Sequence, residues 1–384
     1  MITNDSSVEF GEMAKDKQTV GVIFGGRSGE HEVSLVSARS VMAALDREKY
    51  DVVPIGITRD GNWVVGEALT QLSASVGTAA LPDDGDFEQG AFLAGSAEAT
   101  LMQIDRDSQI TPLTELDVVF PVLHGTYGED GTVQGLLELA NVPYIGANVV
   151  GSAVGMDKAI FKNVMEAHNI PVLPYRLVTR KRWLREPDVV LDELEAILRY
   201  PMFTKPANLG SSVGIAKCDN IEELVAGLND AFRYDRRVVI EQGVPVRELE
   251  VAVLGNEEPI ASVVGEIRPK RDFYDYEAKY ITDDSELFIP ADIPEQLSDE
   301  VRQLAVRAYQ AIDCAGLGRV DFLVNTDNGR LYINEINTIP GFTSISMYPK
   351  LWEATGIGYS ELLDRLIELA IERHREKLRN ETAA

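Results

Sequence analysis

The sequence predicts a protein of the α/β (α+β) class with several domains, and three observations lead to that prediction. Its 384 residues, 45% of them apolar, are enough for two or three domains with separate cores. Short apolar runs alternate with amphipathic segments in the first third of the chain, which is typical of an α/β unit. Near the other end, two runs with period-two alternation flank residues 327–329, which indicates a β-hairpin.

Charge and composition exclude several functions. A net charge of −26 disfavours binding to nucleic acid, whose phosphates require a basic surface, although a local group of lysines and arginines can still hold a small anion. Cys218 and Cys314 match no metal-binding or redox spacing and indicate a reducing compartment. No apolar run reaches the roughly 18 residues of a membrane span, and the N-terminus lacks the core of a signal peptide. We therefore expect a cytoplasmic protein without nucleic-acid or membrane partners.

The first third of the chain is predicted to form one α/β unit behind a disordered tail over residues 1–17. Its predicted elements are strands over 19–24, 52–57 and 118–123 and helices over 31–45 and 132–141. The glycine-rich turn before the first helix places free N–H groups at a positive helix end, which suits an anion or a carboxylate; a plain tight turn is an equal alternative. Residues 70–112 follow no period, so we expect an elaborated loop region there.

His124 ends a predicted strand and opens the glycine-rich run 124–131. Such a run needs special backbone angles or a ligand close by. A histidine at a strand end is more often a local cap than a ligand, yet the surrounding glycines favour a functional role here.

Lysines and small hydroxyl residues characterise the middle of the chain. Lys158 lies at the start of a predicted helix, and Lys205 ends a predicted strand. The loop 208–214, Asn-Leu-Gly-Ser-Ser-Val-Gly, offers N–H and O–H donors to phosphates; a flexible hairpin tip is the alternative. The next predicted strand leads into residues 242–245, a natural position for a hinge.

An irregular segment interrupts the regular elements of the C-terminal part. Residues 268–280 combine aromatic side chains with both signs of charge and are too polar for a core, so we interpret them as a lid over a site. The alternative, a solvated surface loop, would leave four aromatic side chains exposed. The surrounding predicted elements are strands over 247–254 and 260–264 and helices over 297–313 and from residue 360 onward.

The hairpin near the C-terminus brings two acidic residues together. If residues 327–329 form its loop, Thr326 pairs with Arg330 and Asp321 falls opposite Glu335. Two carboxylates directly opposite each other repel, and a sheet normally avoids the pairing. A hard cation between them removes the conflict, so this register predicts a metal ion.

The same register places Arg319 opposite Asn337 on the acidic face of the hairpin. Carboxylate and amide oxygens suit Mg²⁺, which completes its shell with phosphate oxygens. We therefore predict a magnesium-nucleotide platform, with Arg319 beside it for a developing negative charge. The alternative is a half-solvated hairpin with an acidic outer face. The polar run 334–337 argues against it, because such a run makes a poor strand end unless a ligand approaches the backbone.

Four segments of the chain resemble the signatures of one known family. They are HGTYGEDGTVQG (124–135), KPANLGSSVG (205–214), DFYDYEAKY (272–280) and GRVDFLVNTDNGRLYINEINTIPG (318–341). The family is that of the D-alanine–D-alanine ligases, enzymes with the ATP-grasp fold, and the resemblance covers nearly the whole chain. It implies three domains, with ATP held between two antiparallel sheets. The implied domains are an N-terminal parallel α/β domain over 18–146, a central domain over 147–241 and a C-terminal domain over 242–384 with a lid over 268–285.

The resemblance also implies roles for individual residues. The residues implied in catalysis are Glu30, Ser211, Tyr280, Arg319 and Gly341. The substrates would contact His124, Ser346 and Met347. ATP would contact Lys158, Lys205, Ser211, Ser212, Glu241, Gln242, Val244, Glu248 and Lys279. Two ions of Mg²⁺ or Mn²⁺ would be bound by Asp321, Glu335 and Asn337.

The reaction that the resemblance implies is the ATP-dependent joining of two D-alanine molecules through a D-alanyl phosphate, for peptidoglycan precursors, by a homodimer. Tyr280 favours this dipeptide ligase over relatives that use D-lactate, in which the lid tyrosine is replaced. The alternatives are a ligase for D-lactate or D-serine, another ATP-grasp carboxylate–amine ligase, and a nucleotide-binding regulator on an inactive scaffold. The regulator is disfavoured because every implied metal ligand and phosphate lysine is present.

Overall fold

The computed structural model describes residues 17–69, 81, 87–92, 99–105, 107–210, 213–269, 285–343 and 345–380. In these residues the chain forms three β-sheets with helices packed on them, which confirms the predicted α/β class. Several predicted features lie outside the described residues. They are the tail up to residue 16, the lid over 270–284, and the site residues Ser211, Ser212, Lys279 and Tyr280.

The first sheet has seven strands in the order β6-β5-β4-β3-β2-β1-β7. The strands are β1 (Gln18–Gly25), β2 (Tyr50–Ile57), β3 (Trp63–Val65), β4 (Glu88–Phe92), β5 (Thr100–Ile104), β6 (Ile110–Glu115) and β7 (Val118–Pro121). Strand β1 runs parallel to β2 and β7. From β2 to β6, each strand pairs antiparallel with the next strand of the chain. Helix α1 (His31–Ala44) follows β1 and buries Leu35, Ala38 and Val41 against the parallel part.

The expectation of a loop region over residues 70–112 is wrong for the part that the structure describes. Strands β4 and β5 and the start of β6 lie in that region and extend the first sheet. All residues of β4 and β6 are partly or fully exposed, and the two buried residues of β5 are adjacent rather than alternate, so no hydrophobic alternation marks these strands in the sequence. Gly90 lies in the middle of β4, where an added Cβ would come within 2.7 Å of the Val65 side chain.

The central sheet has four antiparallel strands in the order β10-β9-β11-β8. Its strands are β8 (Tyr175–Thr179), β9 (Met202–Pro206), β10 (Ala216–Cys218) and β11 (Arg237–Gln242). The preceding helices are α2 (Thr132–Leu139), α3 (Val149–Met156) and α4 (Lys158–Ala167), and those within the central unit are α5 (Arg180–Arg185), α6 (Pro187–Ile197) and α7 (Ile221–Tyr234). Helices α5, α6 and α7 share a separate apolar core with this sheet, which includes Trp183, Leu194, Leu228 and Val238.

The third sheet has five antiparallel strands in the order β14-β13-β12-β15-β16. They are β12 (Val246–Gly255), β13 (Ile260–Pro269), β14 (Ser285–Phe288), β15 (Gly316–Asn325) and β16 (Leu331–Asn337). The C-terminal helices are α8 (Glu295–Ala311), α9 (Met347–Thr355) and α10 (Tyr359–Lys377). Helices α9 and α10 lie in one continuous core with the first sheet and α1, whereas α8 shares a second core with alternate residues of β12 and β15.

The register of the hairpin formed by β15 and β16 is confirmed where it matters for the acidic face. Asp321 lies opposite Glu335. The predicted pairing of Thr326 with Arg330 is wrong, because the N–H of Asn325 donates to the Arg330 carbonyl and the loop is one residue longer. A bulge at Asn334 on β16 restores the predicted register toward the end of the hairpin.

The cysteines and the apolar character of the helices can be compared with the sequence analysis. Cys218 and Cys314 are buried free thiols, as expected of small apolar residues. None of the helices in the described part of the chain combines the length and the apolar character that a bilayer span requires.

Ion pairs around the buried carboxylate of Glu266 join β12 and β13 where the chain enters the predicted lid. Glu266, whose side chain is 1% exposed, accepts two hydrogen bonds of 2.8 Å from Arg247 and one of 2.8 Å from Arg268. The hydrogen bonds from Arg247 and then those from Arg268 lower the pKa of Glu266 to about 2. Because the folded-state pKa lies below the ordinary value of 4.5, the carboxylate stabilises the fold above about pH 4.5.

Replacing this carboxylate, as Glu266→Gln, should therefore lower the free energy of unfolding at pH 7 by about 2 kcal/mol, less than the full linkage value because both arginines reach solvent. The difference from the wild type should shrink as the pH falls from about 4.5 to about 2. Urea denaturation at a series of pH values measures it. Glu361→Gln is the matched control, because Glu361 forms an exposed helical pair with Arg365 and should change stability by no more than about 0.5 kcal/mol. A difference that stayed constant down to pH 2 would contradict the prediction.

Candidate active site

The acidic face of the hairpin forms the centre of the candidate site. Arg319 donates to both carboxylate oxygens of Asp321, at 2.8 and 2.7 Å. The Asn337 side-chain nitrogen donates to Asp321 Oδ2 at 2.9 Å, and Arg319 lies opposite Asn337 as predicted. These three residues and Glu335 are half-buried and lie on one face. The structure therefore brings together the residues that the sequence predicted for metal and charge binding.

The donor set of this face fits a divalent metal ion. Within the described residues no three His, Cys, Asp or Glu side chains gather as a self-sufficient metal site. Asp321 and Glu335 supply two carboxylates and Asn337 an amide, which is the incomplete oxygen set that Mg²⁺ accepts when phosphates and water complete its shell. The face therefore suits a metal that arrives with a nucleotide.

Glu250 is a member of this face that the sequence reasoning missed. It lies on β12 opposite Asp321, so that Glu250, Asp321 and Glu335 form a row across three neighbouring strands. Glu250 is 6% exposed, and its carboxylate lies 3.1 Å from the Nε atom of Arg319. The alternation along β12 could have revealed it, because Glu248, which was predicted to contact ATP, lies on the same face two residues earlier.

Lys158 connects the hairpin with the predicted phosphate loop. It opens helix α4, where the Asp157 carboxylate accepts from the N–H groups of Ala159 and Ile160 at 3.1 and 3.0 Å. The ammonium group of Lys158 donates to the Leu209 carbonyl at 2.7 Å and lies 3.9 Å from Glu335. A cation at this position can therefore reach a ligand that lies between the loop and the hairpin.

A buried cluster of charges surrounds Glu241, which was predicted to contact adenine. Lys162 donates to Oε1 of Glu241, and Lys205 donates to Oε2. Burial alone would raise the pKa of Glu241, but the two ammonium groups lower it to about 2. Lys162 was not among the predicted site residues, although its position one helical turn after Lys158 was a signal that could have found it.

The other predicted adenine contacts lie in the connection that leaves β11. The Gln242 side chain is bound to the backbone of Arg199, accepting from its N–H at 2.6 Å and donating to its carbonyl at 2.7 Å. Val244 is half-buried between β11 and β12. The backbone N–H groups of Gln242 and Gly243 donate to the carbonyls of Pro174 and Pro201 at 2.9 and 2.8 Å, so hydrogen bonds of side chain and backbone hold this connection in place.

The first sheet contributes a second group of predicted residues. Glu30 precedes helix α1 and is 6% exposed. A Cβ added to Gly125, which has a φ of 74°, would come within 2.5 Å of Glu30 Oε2, and one added to Gly210 would come within 3.2 Å of the same oxygen. Glu30 therefore packs between the His124 turn and the predicted phosphate loop, where only glycine leaves it room.

His124 is held at both ring nitrogens. Nδ1 lies 3.0 Å from the Ile339 carbonyl, and Nε2 lies 3.1 Å from the Ser37 hydroxyl. Burial lowers the pKa of His124, and the Glu30 carboxylate opposes that shift only in part. His124 is therefore a neutral group that ties the first sheet to the segment after the hairpin.

Glu129 also connects the first sheet to the segment after the hairpin, and the sequence analysis did not predict this contact. Its two carboxylate oxygens accept from the N–H of Gly125 at 2.7 Å and from the N–H of Ile339 at 3.1 Å. Burial raises the pKa of Glu129 to about 8, and the nearby Glu30 carboxylate adds to the shift. No local pattern could predict this contact, because the partner in the hairpin segment is 210 residues away.

Helix α9 supplies the remaining predicted residues. Ser346 precedes the helix, and its hydroxyl lies 2.8 Å from the Thr343 hydroxyl and accepts from the Thr343 N–H at 3.1 Å. A Cβ added to Gly341 would lie 3.2 Å from the Ser346 hydroxyl oxygen. Met347 opens the helix and is buried. The positive end of α9 therefore lies beside Gly341, where it can attract a carboxylate.

The fold and this site define the class of the protein. A four-stranded and a five-stranded antiparallel sheet, with clustered lysines and acidic residues, are features of an ATP-grasp ligase. Family models described as the D-ala D-ala ligase N-terminus and the D-ala D-ala ligase C-terminus match residues 19–147 and 164–368. The chain belongs to the D-alanine–D-alanine ligase family, and the predicted class of ADP-forming ligase is confirmed.

Relatives cover nearly the whole chain. A D-alanine–D-alanine ligase from Heliobacterium modesticaldum is 52% identical over 95% of this chain and 98% of its own length, and one from Natranaerobius thermophilus is 48% identical with the same coverage. The solved D-alanine–D-alanine ligase from Coxiella burnetii has a TM-score of 0.82 at 37% identity, covering 95% of this chain and 97% of that one. A solved D-Ala:D-Ser ligase from Enterococcus faecalis has a TM-score of 0.80 at 36% identity, covering 92% and 99%.

Proposed function

We propose that the protein joins two D-alanine molecules into D-alanyl-D-alanine with the cleavage of ATP to ADP and phosphate, for peptidoglycan precursor synthesis. The observation that carries the proposal is the hairpin face, on which Asp321, Glu335 and Asn337 lie beside Arg319, with the Lys158 ammonium 3.9 Å from Glu335. Such a face can hold a metal-bound nucleotide and balance the charge of a transferring phosphoryl group.

In the first step a carboxylate oxygen of the first D-alanine attacks the γ-phosphorus of ATP, and the bond to the β-phosphate oxygen breaks. Glu30 is proposed to hold the ammonium group of this D-alanine, because its buried carboxylate lies beside Gly125 and Gly210. Two divalent ions, Mg²⁺ or Mn²⁺, would be held by Asp321, Glu335 and Asn337 and would neutralise charge on the phosphates. Lys158 and Lys205 would add to it, and phosphoryl transfer depends mainly on such charge and position.

In the second step the neutral amine of the second D-alanine attacks the carbonyl carbon of the acyl phosphate, the carbon–oxygen bond to phosphate breaks, and the proton that the amine loses leaves with the phosphate. Arg319 and the N–H of Gly341 are proposed to stabilise the oxyanion of the tetrahedral intermediate. The carboxylate of the second D-alanine would bind at Ser346 and Met347, because the positive end of α9 lies there. His124 would position the first substrate through its bonds to Ser37 and Ile339.

Several further roles are proposed from the family resemblance. Ser211, Ser212 and Lys279 would bind phosphates, and Tyr280 would join Ser211 and Glu30 and close the lid. Adenine would lie against Glu241, Gln242 and Val244, and Glu248 would bind the ribose hydroxyls. We further propose a cytoplasmic homodimer whose domains are 18–146, 147–241 and 242–384.

A D-alanine–D-serine ligase is the second candidate function. One observation favours it: the solved D-Ala:D-Ser ligase is about as similar to this chain as the solved D-alanine–D-alanine ligase, with 36% against 37% identity. The curated relatives at 52% and 48% identity carry the D-alanine–D-alanine name, and they support the first candidate.

One experiment tests the function. The purified protein is mixed with ATP, Mg²⁺ and D-alanine, phosphate release is measured, and the products are identified by mass spectrometry. We expect ADP, phosphate and D-alanyl-D-alanine, with no phosphate release for L-alanine or D-lactate. A mixture of D-alanine and D-serine that gave mainly the mixed dipeptide would favour the second candidate, and ATP turnover without any dipeptide would overturn both.

A further inference from the structure

Glu241 is bound by a buried lysine, Lys162, that is not among the proposed substrate contacts. Lys162 is 1% exposed, lies one helical turn after Lys158 on α4, and donates to Oε1 of Glu241. Lys205 reaches the other carboxylate oxygen from β9. The Lys162 ammonium also lies 5.6 Å from the centre of the Tyr175 ring. Within the described part of the chain, Lys162 is therefore almost completely buried.

The three charged groups do not balance one another. One carboxylate faces two ammonium groups, and each ammonium group takes one of its oxygens. Coulomb attraction between buried charges is strong because little water screens it. Lys205 is therefore held by Glu241 in this structure, although its proposed partner during the reaction is a phosphate of ATP. For Lys205 to transfer to a phosphate, Glu241 must keep another cation.

We propose that Lys162 is a positioning residue for the nucleotide: it stays on Glu241 and so frees Lys205 to bind the phosphates of ATP. The inference rests on the proposed function, because it takes ATP as the nucleotide and Lys205 as a phosphate contact. Lys162 itself touches neither substrate. Its effect is exerted through Glu241, whose carboxylate it neutralises and holds in place for the base.

The proposal predicts a specific split between kinetic constants. In Lys162→Met, Glu241 would keep Lys205 as its only cation, so Lys205 would no longer serve the phosphates. The KM for ATP should rise about tenfold, and kcat at saturating ATP should also fall because Lys205 no longer neutralises the transferring phosphoryl group. The KM for D-alanine should stay within about twofold of the wild type, because its proposed contacts are unchanged. The dissociation constant of ADP, measured by calorimetry, should rise in parallel. Lys217→Met is the matched control, because Lys217 is an exposed lysine of the same sheet that pairs with Asp219, and it should change none of these values.

A double-mutant cycle separates this role from a merely structural one. In a Glu241→Gln background the charge that retains Lys205 is gone, so adding Lys162→Met should change the KM for ATP by less than about twofold. A structural role for Lys162 would instead give the same factor in both backgrounds. Lys162→Arg keeps the charge, and it should return the ADP dissociation constant to within about threefold of the wild-type value. If Lys162→Met does not fold, Lys162→Gln is measured in its place, by ADP binding at low temperature.

The outcomes distinguish this inference from the proposed function. Additive effects in the cycle, or a loss of kcat with an unchanged KM for ATP and an unchanged ADP dissociation constant, would overturn the role of Lys162. If the wild-type protein formed no dipeptide, but ADP binding still depended on Lys162 as described, the proposed function would fail and the positioning role would stand.

Discussion

Asp321→Asn should reduce the turnover number by about 10³-fold and leave a folded protein. The substitution keeps the shape of the side chain but removes one of the two carboxylates of the hairpin face, and a lost metal charge at a phosphoryl-transfer site costs several kcal/mol of barrier. The fold should survive because Asp321 is half-buried and belongs to neither of the apolar cores that pack on the third sheet. Phosphate release at saturating ATP and D-alanine, over a range of Mg²⁺ concentrations, measures the effect.

The control for this substitution lies in the same hairpin. Asp327 is exposed in the loop between β15 and β16, away from the acidic face, so Asp327→Asn should retain wild-type turnover. Urea denaturation of both variants shows whether the fold is intact. Wild-type turnover of Asp321→Asn at ordinary Mg²⁺ concentration would remove Asp321 from the metal site and with it the central assumption of the proposed mechanism.

Arg319→Met should lower kcat by about 10²- to 10³-fold. Removing one preorganised donor to a developing oxyanion typically costs about 3 kcal/mol of barrier, and Arg319 is fixed for this task between Asp321 and Glu250. Arg319→Lys should recover little, because an ammonium group cannot reproduce the two-pronged geometry of the guanidinium. Single-turnover measurements of acyl transfer at saturating substrates provide the readout.

Arg330→Met serves as the comparison for that loss, because Arg330 is an exposed arginine of the same hairpin loop. It should keep turnover within about twofold of the wild type. Should Arg319→Met retain kcat and raise only the KM for ATP, Arg319 would be a nucleotide contact and its proposed role at the acyl centre would be wrong.

The hairpin shows how far a sequence pattern can predict a site. Alternation and a turn signal were sufficient to predict that Asp321 lies opposite Glu335. Two details were beyond them: the loop is one residue longer than predicted, and Asn334 forms a bulge. The two deviations cancel along the strand, so the register at the acidic face is right although the pairing next to the loop is wrong. Backbone irregularities of this kind depend on contacts that a single strand does not contain.

Two of the residues that were missed have partners far away in the sequence, which no local pattern indicates. Glu129 meets Ile339, and Lys162 meets Glu241, 79 residues away. Helix α9 also escaped prediction, although Ser346 before it and Pro349 in its first turn are typical of a helix start. Strands β4 to β6 do not alternate buried with exposed residues, so no strand pattern marks them in the sequence. Elements without a regular burial pattern and contacts between distant residues are therefore the part that only coordinates supply.

The way the apolar cores divide has a consequence for product release. The first sheet, α9, α10 and part of the third sheet share one continuous core, and His124 and Glu129 add hydrogen bonds between them. The four-stranded sheet has a core of its own. Rotating the four-stranded sheet outward at a hinge over residues 242–245 would therefore expose far less apolar surface than separating the first sheet from the third. We therefore expect ADP to leave when the four-stranded sheet moves away from the other two sheets. The proposed D-alanine contacts, which lie between the first and third sheets, should keep their arrangement from one turnover to the next.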